Sequence, residues 1–370
     1  MTFIIGMAKF TIYSQNTMAK HQIFIKRCID IARLGAGKVS PNPMVGAVLV
    51  YEDRIIGEGY HQKYGQAHAE VNALASVKDA DKHLIPLSTL YVSLEPCCIF
   101  GNTPPCTDLI IKNRIPRVVI SSLDQSPGVN GRGVELLRKA GVEVITDVLQ
   151  PIGDELACFR NTFVSKKRPY IILKMARNEA GFMAAADLQP IRISNAESQI
   201  LAHKWRSEID AILVGTQTAF YDNPQLSNRL YFGRSPVRIV LDKTGRLSPT
   251  LQLFQSDLAP TLVFSQSRLE KQFPAHVETI FVHDWSHVLS TLLDELYRRK
   301  HSSLLVEGGP TLLKSFLDAG LWDEARVLVG QTYIQHGIAA PFIATHSNSV
   351  YTLLNNRIYR YINPKSNNNR

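Results

Sequence analysis

The stretch LEPCCIFGNTPPC, residues 94–106, holds three of the chain's five cysteines, behind a Glu-Pro and around a Thr-Pro-Pro. It is consistent with a disulfide, a metal site or a catalytic thiol. An odd number of cysteines, three of them crowded together, argues against a secreted disulfide framework and favours a reduced compartment with a metal-binding or catalytic thiol. We therefore expect a cytoplasmic protein.

A His-x-Glu pair, His68 with Glu70, begins a predicted helix upstream of this stretch. The imidazole of His68 and the thiolates of Cys97 and Cys106 suit Zn²⁺, and three protein ligands leave a fourth tetrahedral position for water, as in a catalytic site. Glu70 would take the proton of that water and deliver it to a leaving amine. Cys98 is a bystander, because adjacent side chains at the mouth of a strand diverge.

Each part of this pattern is weak alone. The two side chains of a lone His-x-Glu nearly always either face water or make ordinary hydrogen bonds within the protein. Pro-Pro near a cysteine is often only a rigid loop. Together they match the zinc-dependent base deaminases, in which His-x-Glu and Pro-Cys segments flank the metal. That pattern usually closes with Cys-x-x-Cys, whereas eight residues separate Cys97 from Cys106 here. The longer spacing narrows the choice among families of zinc-dependent deaminases.

The rest of the first half alternates predicted helices and strands, from an opening amphipathic helix through a hairpin at Glu52-Asp53 to the strand VEVITDV. This alternation indicates a three-layer α/β domain with helices on both sheet faces. The second half repeats the alternation after a polar, basic stretch near residue 166. We expect an N-terminal extension over 1–18, a first domain over 19–165, a second over 166–360 and a frayed tail over 361–370.

Composition excludes some classes of protein. The chain has 370 residues, 45% of them hydrophobic and 20% charged, and no apolar run long enough to span a bilayer. Its first residues do not resemble a secretory signal, so we expect none. The formal charge of +9 suits phosphorylated small molecules, but no basic block or basic-aromatic platform indicates nucleic-acid binding. We expect a small-molecule substrate, a homo-oligomer, and neither nucleic acid nor membrane as partner.

The first half, with SPNPMVGAVLV, GEGYHQKYGQAHAE and LEPCCIFGNTPPC in order, closely resembles the deaminase domain of bacterial bifunctional riboflavin-biosynthesis enzymes over residues 20–165. The resemblance implies a cytidine-deaminase-like three-layer α/β/α fold. It implies that this domain removes the 2-amino group of 2,5-diamino-6-(5-phosphoribosylamino)pyrimidin-4(3H)-one. It further implies His68, Cys97 and Cys106 as zinc ligands, Glu70 as proton shuttle, and Asn42 and His61 as pocket residues near the pyrimidine.

The second half resembles the reductase domain of the same enzymes over residues 168–335, through segments that include VGTQTAFYDNPQLSNR and LLVEGGPTLLKSFLDAG. The resemblance implies a dihydrofolate-reductase-like α/β fold that uses NADPH to reduce the ribosyl C1′ to a ribityl chain. The residues implied for NADPH are Ala176, Thr218, Asp222, Gly308 and Gly309. Those implied for the substrate are Arg206, Leu226, Arg229 and Glu307.

The chain departs from this family at several positions. Cys98, Ile99 and Asn102 replace a Ser-His pair and a basic residue, of which the His and the basic residue would contact substrate. The reductase half has Ala180, Pro190 and Arg192 in segments where the family has Asp, Ser and Trp. Two alternatives therefore stand beside the bifunctional enzyme. One is a deaminase with a degenerate reductase domain or a binding protein, and the other is a zinc deaminase of another pyrimidine or of a tRNA base.

Overall fold

The computed structural model describes residues 18–101, 104–187, 191–268 and 273–367. Within these residues, no helix is long and apolar enough to cross a membrane. Contacts between residues divide the chain into two compact units, Met1–Lys166 and Lys167–Arg370. Positions 1–17 of the expected extension, together with Asn102 and Pro190, lie outside the described residues.

The first unit is built on a five-stranded sheet in the order β2-β1-β3-β4-β5. Its strands are β1 (Gly46–Tyr51), β2 (Arg54–Tyr60), β3 (Thr89–Leu94), β4 (Arg117–Ser122) and β5 (Glu143–Ile145). β1 runs antiparallel to both β2 and β3, and β3, β4 and β5 are parallel. Glu52 and Asp53 join β1 to β2 with positive φ angles of 46° and 63°, which confirms the predicted hairpin.

Helices cover both faces of this sheet. They are α1 (residues 18–32), α2 (Ala69–Ala75), α3 (Cys106–Lys112), α4 (Arg132–Lys139), α5 (Gln150–Leu156) and α6 (Cys158–Lys166). Ala47 and Leu49 of β1 pack with α2, α3 and α4, whereas the alternate residues Val48 and Val50 pack with α1 and α5. The alternation of side chains along a strand thus builds two buried layers, and the predicted three-layer α/β fold is confirmed.

The second unit is built on a nine-stranded sheet in the order β11-β10-β9-β8-β12-β6-β13-β16-β15. The strands of the unit, including a separate β7-β14 pair, are β6 (Tyr170–Asn178), β7 (Phe182–Ala185), β8 (Ala211–Gly215), β9 (Val237–Leu241), β10 (Thr261–Ser265), β11 (Val277–Phe281), β12 (Ser303–Val306), β13 (Glu324–Gly330), β14 (Gly337–Ala339), β15 (Ser349–Leu353) and β16 (Asn356–Ile362). The seven strands from β11 to β13 in this order are parallel, and β16 and β15 continue the sheet antiparallel.

Helices also flank both faces of the second sheet. They are α7 (Ala196–Glu208), α8 (Thr216–Asp222), α9 (Gln252–Gln255), α10 (Val288–Arg298) and α11 (Pro310–Asp318). The larger core joins α10 and α11 to one face, and a smaller cluster joins α7 to β13 and β16. β12 lies between β6 and β8, so the carboxyl ends of these three parallel strands meet at one sheet edge, where α/β proteins place their ligands.

Some elements were not predicted. The sequence did not predict the β15-β16 hairpin, the β7-β14 pair, α8 or α9. The polar stretch near residue 166, expected to be a boundary, includes the end of α6. In the tail expected over 361–370, Tyr361 and Ile362 belong to β16, and the side chain of Asn363 donates to the carbonyl of Trp322 at 2.8 Å. The hairpin contributes only two residues, Ile358 and Asn356, to the buried interior, so its hydrophobic pattern is faint.

A buried ion pair fixes the first strand of the second unit. The fully buried carboxylate of Asp323 accepts from Arg168 Nη1 at 2.6 Å and Nη2 at 2.9 Å, and from the backbone N–H of Ile171 at 2.9 Å. Asp323 immediately precedes β13 and Ile171 lies in β6. The carboxylate therefore joins two neighbouring strands at their amino ends.

We expect Asp323→Ala to lower the free energy of unfolding of the second unit by about 3–5 kcal/mol, because Arg168 would be left buried without its partner. All three tryptophans, Trp205, Trp285 and Trp322, lie in this unit, so urea denaturation followed by tryptophan fluorescence reports it selectively. The matched control is Asp318→Ala, which breaks an exposed pair with Lys314 and should cost at most about 1 kcal/mol. Equal losses in the two variants would contradict the assigned role.

Candidate functional sites

Three segments of the first unit place His68, Cys97 and Cys106 together. His68 is the N-cap residue of α2, Cys97 follows the end of β3, and Cys106 is the first residue of α3. The imidazole Nδ1 of His68 lies 3.5 Å from Cys97 Sγ and 3.4 Å from Cys106 Sγ. Their possible ligand atoms all lie within 4.8 Å of one another. Three residues distant in sequence therefore share one small volume.

These distances fit a tetrahedral zinc ion. Zinc bonds of normal length to nitrogen and sulfur, at a tetrahedral angle, require an N···S separation of about 3.5 Å. Both observed separations meet that requirement. Cys98 does not join the group: its Sγ lies 3.6 Å from the carbonyl oxygen of Gly128. A hydrogen bond from Cys106 lowers the pKa of the Cys97 thiol to about 4, while the same contact and burial raise the pKa of Cys106.

Glu70 lies in the first turn of α2 and is 3% exposed. Burial, and then the negative charge of Cys97, raise the pKa of its carboxyl to about 6, although His68 opposes the rise. A carboxyl with a pKa near neutrality can both accept and return a proton. Glu70 lines a cavity of about 320 Å³ together with His68 and Cys97.

Asn42 and His61 line the same cavity and contact each other. His61 Nδ1 lies 3.0 Å from the carbonyl oxygen of Ala67, which can only accept, so Nδ1 carries the proton. Nε2 of the neutral ring then accepts from the amide Nδ2 of Asn42 at 3.2 Å. Burial lowers the pKa of His61, which favours this neutral form. The side-chain orientation of Asn42 is thus set by His61.

Glu95 is a residue that the sequence reasoning missed. It follows β3, is 3% exposed, and its carboxylate accepts four backbone N–H groups, those of Asp124, Gly131, Gly133 and Val134, at 2.8–3.3 Å. Gly133 leaves no room for a side chain, because a Cβ there would lie 2.4 Å from the carbonyl oxygen of Pro96. Glu95 therefore holds the loop over residues 124–134 against the segment that carries Cys97. The only signal was a Glu-Pro-Cys at the end of an apolar strand.

In the second unit, Arg206 of α7 and Glu307 after β12 form a buried bidentate pair. Arg206 Nε and Nη2 donate to the two carboxylate oxygens at 2.9 and 2.8 Å, and Nη1 donates to the carbonyl oxygen of Ser227, next to Leu226, at 3.3 Å. Lys174 Nζ, in β6, lies 3.6 Å from Glu307. Burial alone raises the pKa of Glu307, but Arg206 and Lys174 outweigh it and hold that pKa at about 2.

Lys174 was not among the residues expected at this site. Its position in the apolar strand YIILKMA was a signal, because a lysine inside a core strand needs a partner. Desolvation raises the pKa of Asp222, at the end of α8, and the ammonium of Lys174 opposes the rise. The ammonium of Lys174 thus acts to lower the pKa of two carboxyl groups, that of Asp222 at the end of α8 and that of Glu307 after β12. Arg229 connects to α7 differently, since its backbone N–H donates to Nδ1 of His203 at 3.0 Å.

Only some of the residues expected to bind the cofactor lie close to one another in the structure. A Cβ on Gly309, the N-cap residue of α11, would lie 3.3 Å from Thr218 Oγ1 of α8, so these two elements meet closely. Gly308 has no space for a side chain, because a Cβ would lie 2.8 Å from the Cβ of Leu312. Ala176 packs instead with the α7 cluster that contains Trp205.

The departures from the family pattern have different surroundings. Ile99 is 44% exposed and lines the cavity around Glu70. The turn at 178–181 is regular: Asn178 accepts from the N–H of Phe182 at 2.9 Å, and Gly181 has a φ of 92°. Ala180 is exposed at this turn, and Arg192 is exposed with its carbonyl oxygen held by Thr332 at 2.8 Å.

Comparison with known proteins identifies both units. Residues 18–122 match the cytidine and deoxycytidylate deaminase zinc-binding region, and residues 169–334 match the RibD C-terminal domain. The first match supports Zn²⁺, and the second a nucleotide cofactor. The riboflavin biosynthesis protein RibD of Aquifex aeolicus is 38% identical over 85% of this chain and 88% of its own length. RibD of Synechocystis is 34% identical over 88% of this chain and 88% of its own length.

Solved structures agree with the relatives. A diaminohydroxyphosphoribosylaminopyrimidine deaminase/5-amino-6-(5-phosphoribosylamino)uracil reductase from Thermotoga maritima has a TM-score of 0.85 and 37% identity, and the match covers 93% of this chain and 99% of that one. RibD of Acinetobacter baumannii has a TM-score of 0.79 and 30% identity over 93% of this chain and 99% of its own. The chain therefore belongs to the RibD family and is a bifunctional deaminase and reductase of riboflavin biosynthesis.

Proposed function

We propose that the first unit hydrolyses the 2-amino group of 2,5-diamino-6-(5-phosphoribosylamino)pyrimidin-4(3H)-one, and that the second then uses NADPH to reduce the ribosyl group to ribityl. The observation that carries the proposal is the convergence of His68, Cys97, Cys106 and the buried Glu70 at one cavity. The likeness to the Thermotoga enzyme over 93% of the chain supports the choice of substrate. We also propose a cytoplasmic location, since thiolate ligands must stay reduced.

The deaminase step depends on the ligand set and on Glu70. Bound through His68, Cys97 and Cys106, zinc would supply Lewis-acid activation of water at its open position. Glu70 accepts one proton of the water as the oxygen bonds to C2 and passes it to the ring nitrogen next to C2. It then moves the remaining hydroxyl proton to the departing nitrogen as the C2–N bond breaks. Ammonia leaves and the ring carbonyl remains. The pKa of about 6 allows both transfers near neutral pH.

Asn42 and His61 would orient the pyrimidine in this cavity. Since one N–H of Asn42 is used by His61, its side-chain oxygen and its second N–H stay available to a ligand. A pyrimidinone edge presents complementary donors and acceptors. We assign Asn42 to substrate contact and His61 to holding the amide of Asn42 in place.

The reductase step depends on positioning, because NADPH itself would supply the hydride. Arg206, with its neighbours Leu226 and Arg229, would contact the ribose phosphate side of the substrate, and Glu307 would hold Arg206 in orientation. Thr218, Asp222, Gly308 and Gly309 would line the cofactor side, and we place Ala176 there by family resemblance alone. The two glycines allow close backbone approach, and the amino end of α11 favours phosphate.

One experiment tests both steps. The purified protein is incubated with the diaminopyrimidinone ribosyl phosphate, with and without NADPH, and the products are analysed by mass spectrometry. Deamination raises the mass by about one unit and reduction by about two more. The alternatives give distinct results: a degenerate reductase stops after the first change, and a deaminase of another base produces neither.

We expect Glu70→Gln to slow ammonia release at least about a hundredfold because the proton carrier is lost, while zinc measured by elemental analysis stays unchanged. Cys97→Ser should lose zinc together with activity. The matched control is Cys98→Ser, which changes the neighbouring thiol and should retain both. If Cys98→Ser loses zinc, or if Glu70→Gln is fully active, the assignment is wrong.

We expect Gly309→Val to weaken NADPH binding at least about tenfold, measured by NADPH fluorescence, because the added side chain occupies the space between α11 and Thr218. The backbone of Gly309 has a φ of −67°, which valine adopts without strain. Ammonia release should be unchanged, and it serves as the internal control for folding. Unaltered NADPH affinity would place the cofactor elsewhere.

We expect acid to weaken the second unit through His203, which is buried and accepts from Arg229. Burial, then the charges of Arg206 and Arg229, lower its pKa from 6.5 to about 4. The unfolded chain therefore binds a proton first, so the stabilisation is complete above pH 6.5 and is lost as the pH falls towards 4. Between pH 7 and pH 5 the loss should be about 2 kcal/mol.

The measurement is urea denaturation at pH 7 and pH 5 with tryptophan fluorescence. His203→Gln keeps an acceptor but cannot titrate, so its free energy of unfolding should fall less between these pH values. A wild type and a variant with the same pH dependence would show that His203 does not control acid stability.

A further inference from the structure

The cavity around Glu70 has an uneven charge distribution. Among its described lining residues, Arg160 of α6 is the one lysine or arginine. The stretch from Cys97 to Cys106 contributes no basic residue, because its sequence is CCIFGNTPPC. The acidic residues Glu70, Glu95 and Asp124 line the same cavity. A dianionic ligand that enters would therefore meet carboxylates and a single guanidinium.

The guanidinium of Arg160 is held in one orientation with its outer edge free. Its Nε donates to the hydroxyl of Ser126 at 3.2 Å, and the N–H of Ser126 donates to Asp124 at 2.7 Å. Asp124 is in turn tied to Glu95. In the part of the chain that the structure describes, no hydrogen bond or ion pair uses the two terminal nitrogens of Arg160. Such an edge can bind two oxygens of a phosphate at once.

We propose that Arg160 binds the ribose phosphate of the substrate in the first unit's cavity. This proposal rests on the proposed function and adds a residue that determines substrate selection. The phosphate requires a cation because carboxylates share the cavity, and Arg160 offers one whose donor geometry matches phosphate oxygens. Asp124, in the same wall, repels the phosphate and favours hydroxyl groups, so the two side chains orient the ribose phosphate.

The first test compares ammonia release from the phosphorylated substrate and from its dephosphorylated counterpart, without NADPH. Arg160→Gln should raise KM for the phosphorylated substrate about tenfold or more, with kcat and zinc content little changed. KM for the dephosphorylated compound should change less than about twofold. Arg160→Lys should recover part of the effect, because it restores the charge without the fork. Equal changes for both compounds, or none, overturn the proposal.

The control is Lys139→Gln, which removes the same charge from an exposed position on α4 outside the cavity lining. It should leave both KM values unchanged, which separates a local contact from a loss of net charge. If Lys139→Gln reproduces the effect of Arg160→Gln, the attraction is long-range and the proposal fails.

The second test uses the unaltered chain and does not depend on turnover. Phenylglyoxal modifies accessible arginines, and peptide mass spectrometry measures the extent of modification of Arg160 separately from that of the other arginines. Ribose 5-phosphate should protect Arg160, whereas ribose should not. Equal reaction with both, or an Arg160 that the reagent does not reach, overturns the proposal. Protection in a protein that releases no ammonia from the pyrimidine would support the phosphate site while rejecting the proposed substrate.

Discussion

In the first unit, a histidine nitrogen and two sulfurs lie at the separations that a tetrahedral ion requires, and the surrounding sheet and helices hold them there. His68, Cys97 and Cys106 belong to three segments, and strand pairing brings them together: β1 and β3 fix the end from which Cys97 emerges, and α2 and α3 begin beside it. Both N···S separations fall within 0.1 Å of one another. The sheet supplies the rigidity, and the amino ends of α2 and α3 and the segment after β3 supply the three side chains.

Two buried glutamates show how surroundings divide the same side chain between different tasks. Among the described residues no lysine or arginine is bonded to Glu70, so burial raises the pKa of its carboxyl to about 6 and its proton is exchangeable near neutrality. The side chain of Glu307 is 7% exposed but is paired with Arg206 and Lys174, so its pKa falls to about 2 and it remains an anion. The first arrangement suits proton transfer, and the second suits the fixed orientation of a guanidinium.

The sequence predicted what local chemistry determines. The spacing of Cys97 and Cys106 and the His-x-Glu motif were enough for the ligand grouping, and the alternation of elements was enough for the α/β class of both units. The particular folds came from the family resemblance. It did not predict Glu95, Lys174 or Arg160, since the partners of each are distant along the chain and a single charged residue has no periodicity. The β15-β16 hairpin was missed because only Asn356 and Ile358 of its residues are buried, and the hydrophobic pattern of a strand requires a buried face.

The four hydrogen bonds of Glu95 have a consequence for how this enzyme can change over evolutionary time. They join the loop over 124–134 to the Cys97 segment, so that wall cannot be reshaped without disturbing the ligand geometry. Tyr64, Gly65 and Gln66 line the same cavity from an exposed segment with no such anchor to Glu95. Selection for a differently shaped base can therefore act on that segment alone, so metal retention and substrate choice are separable traits.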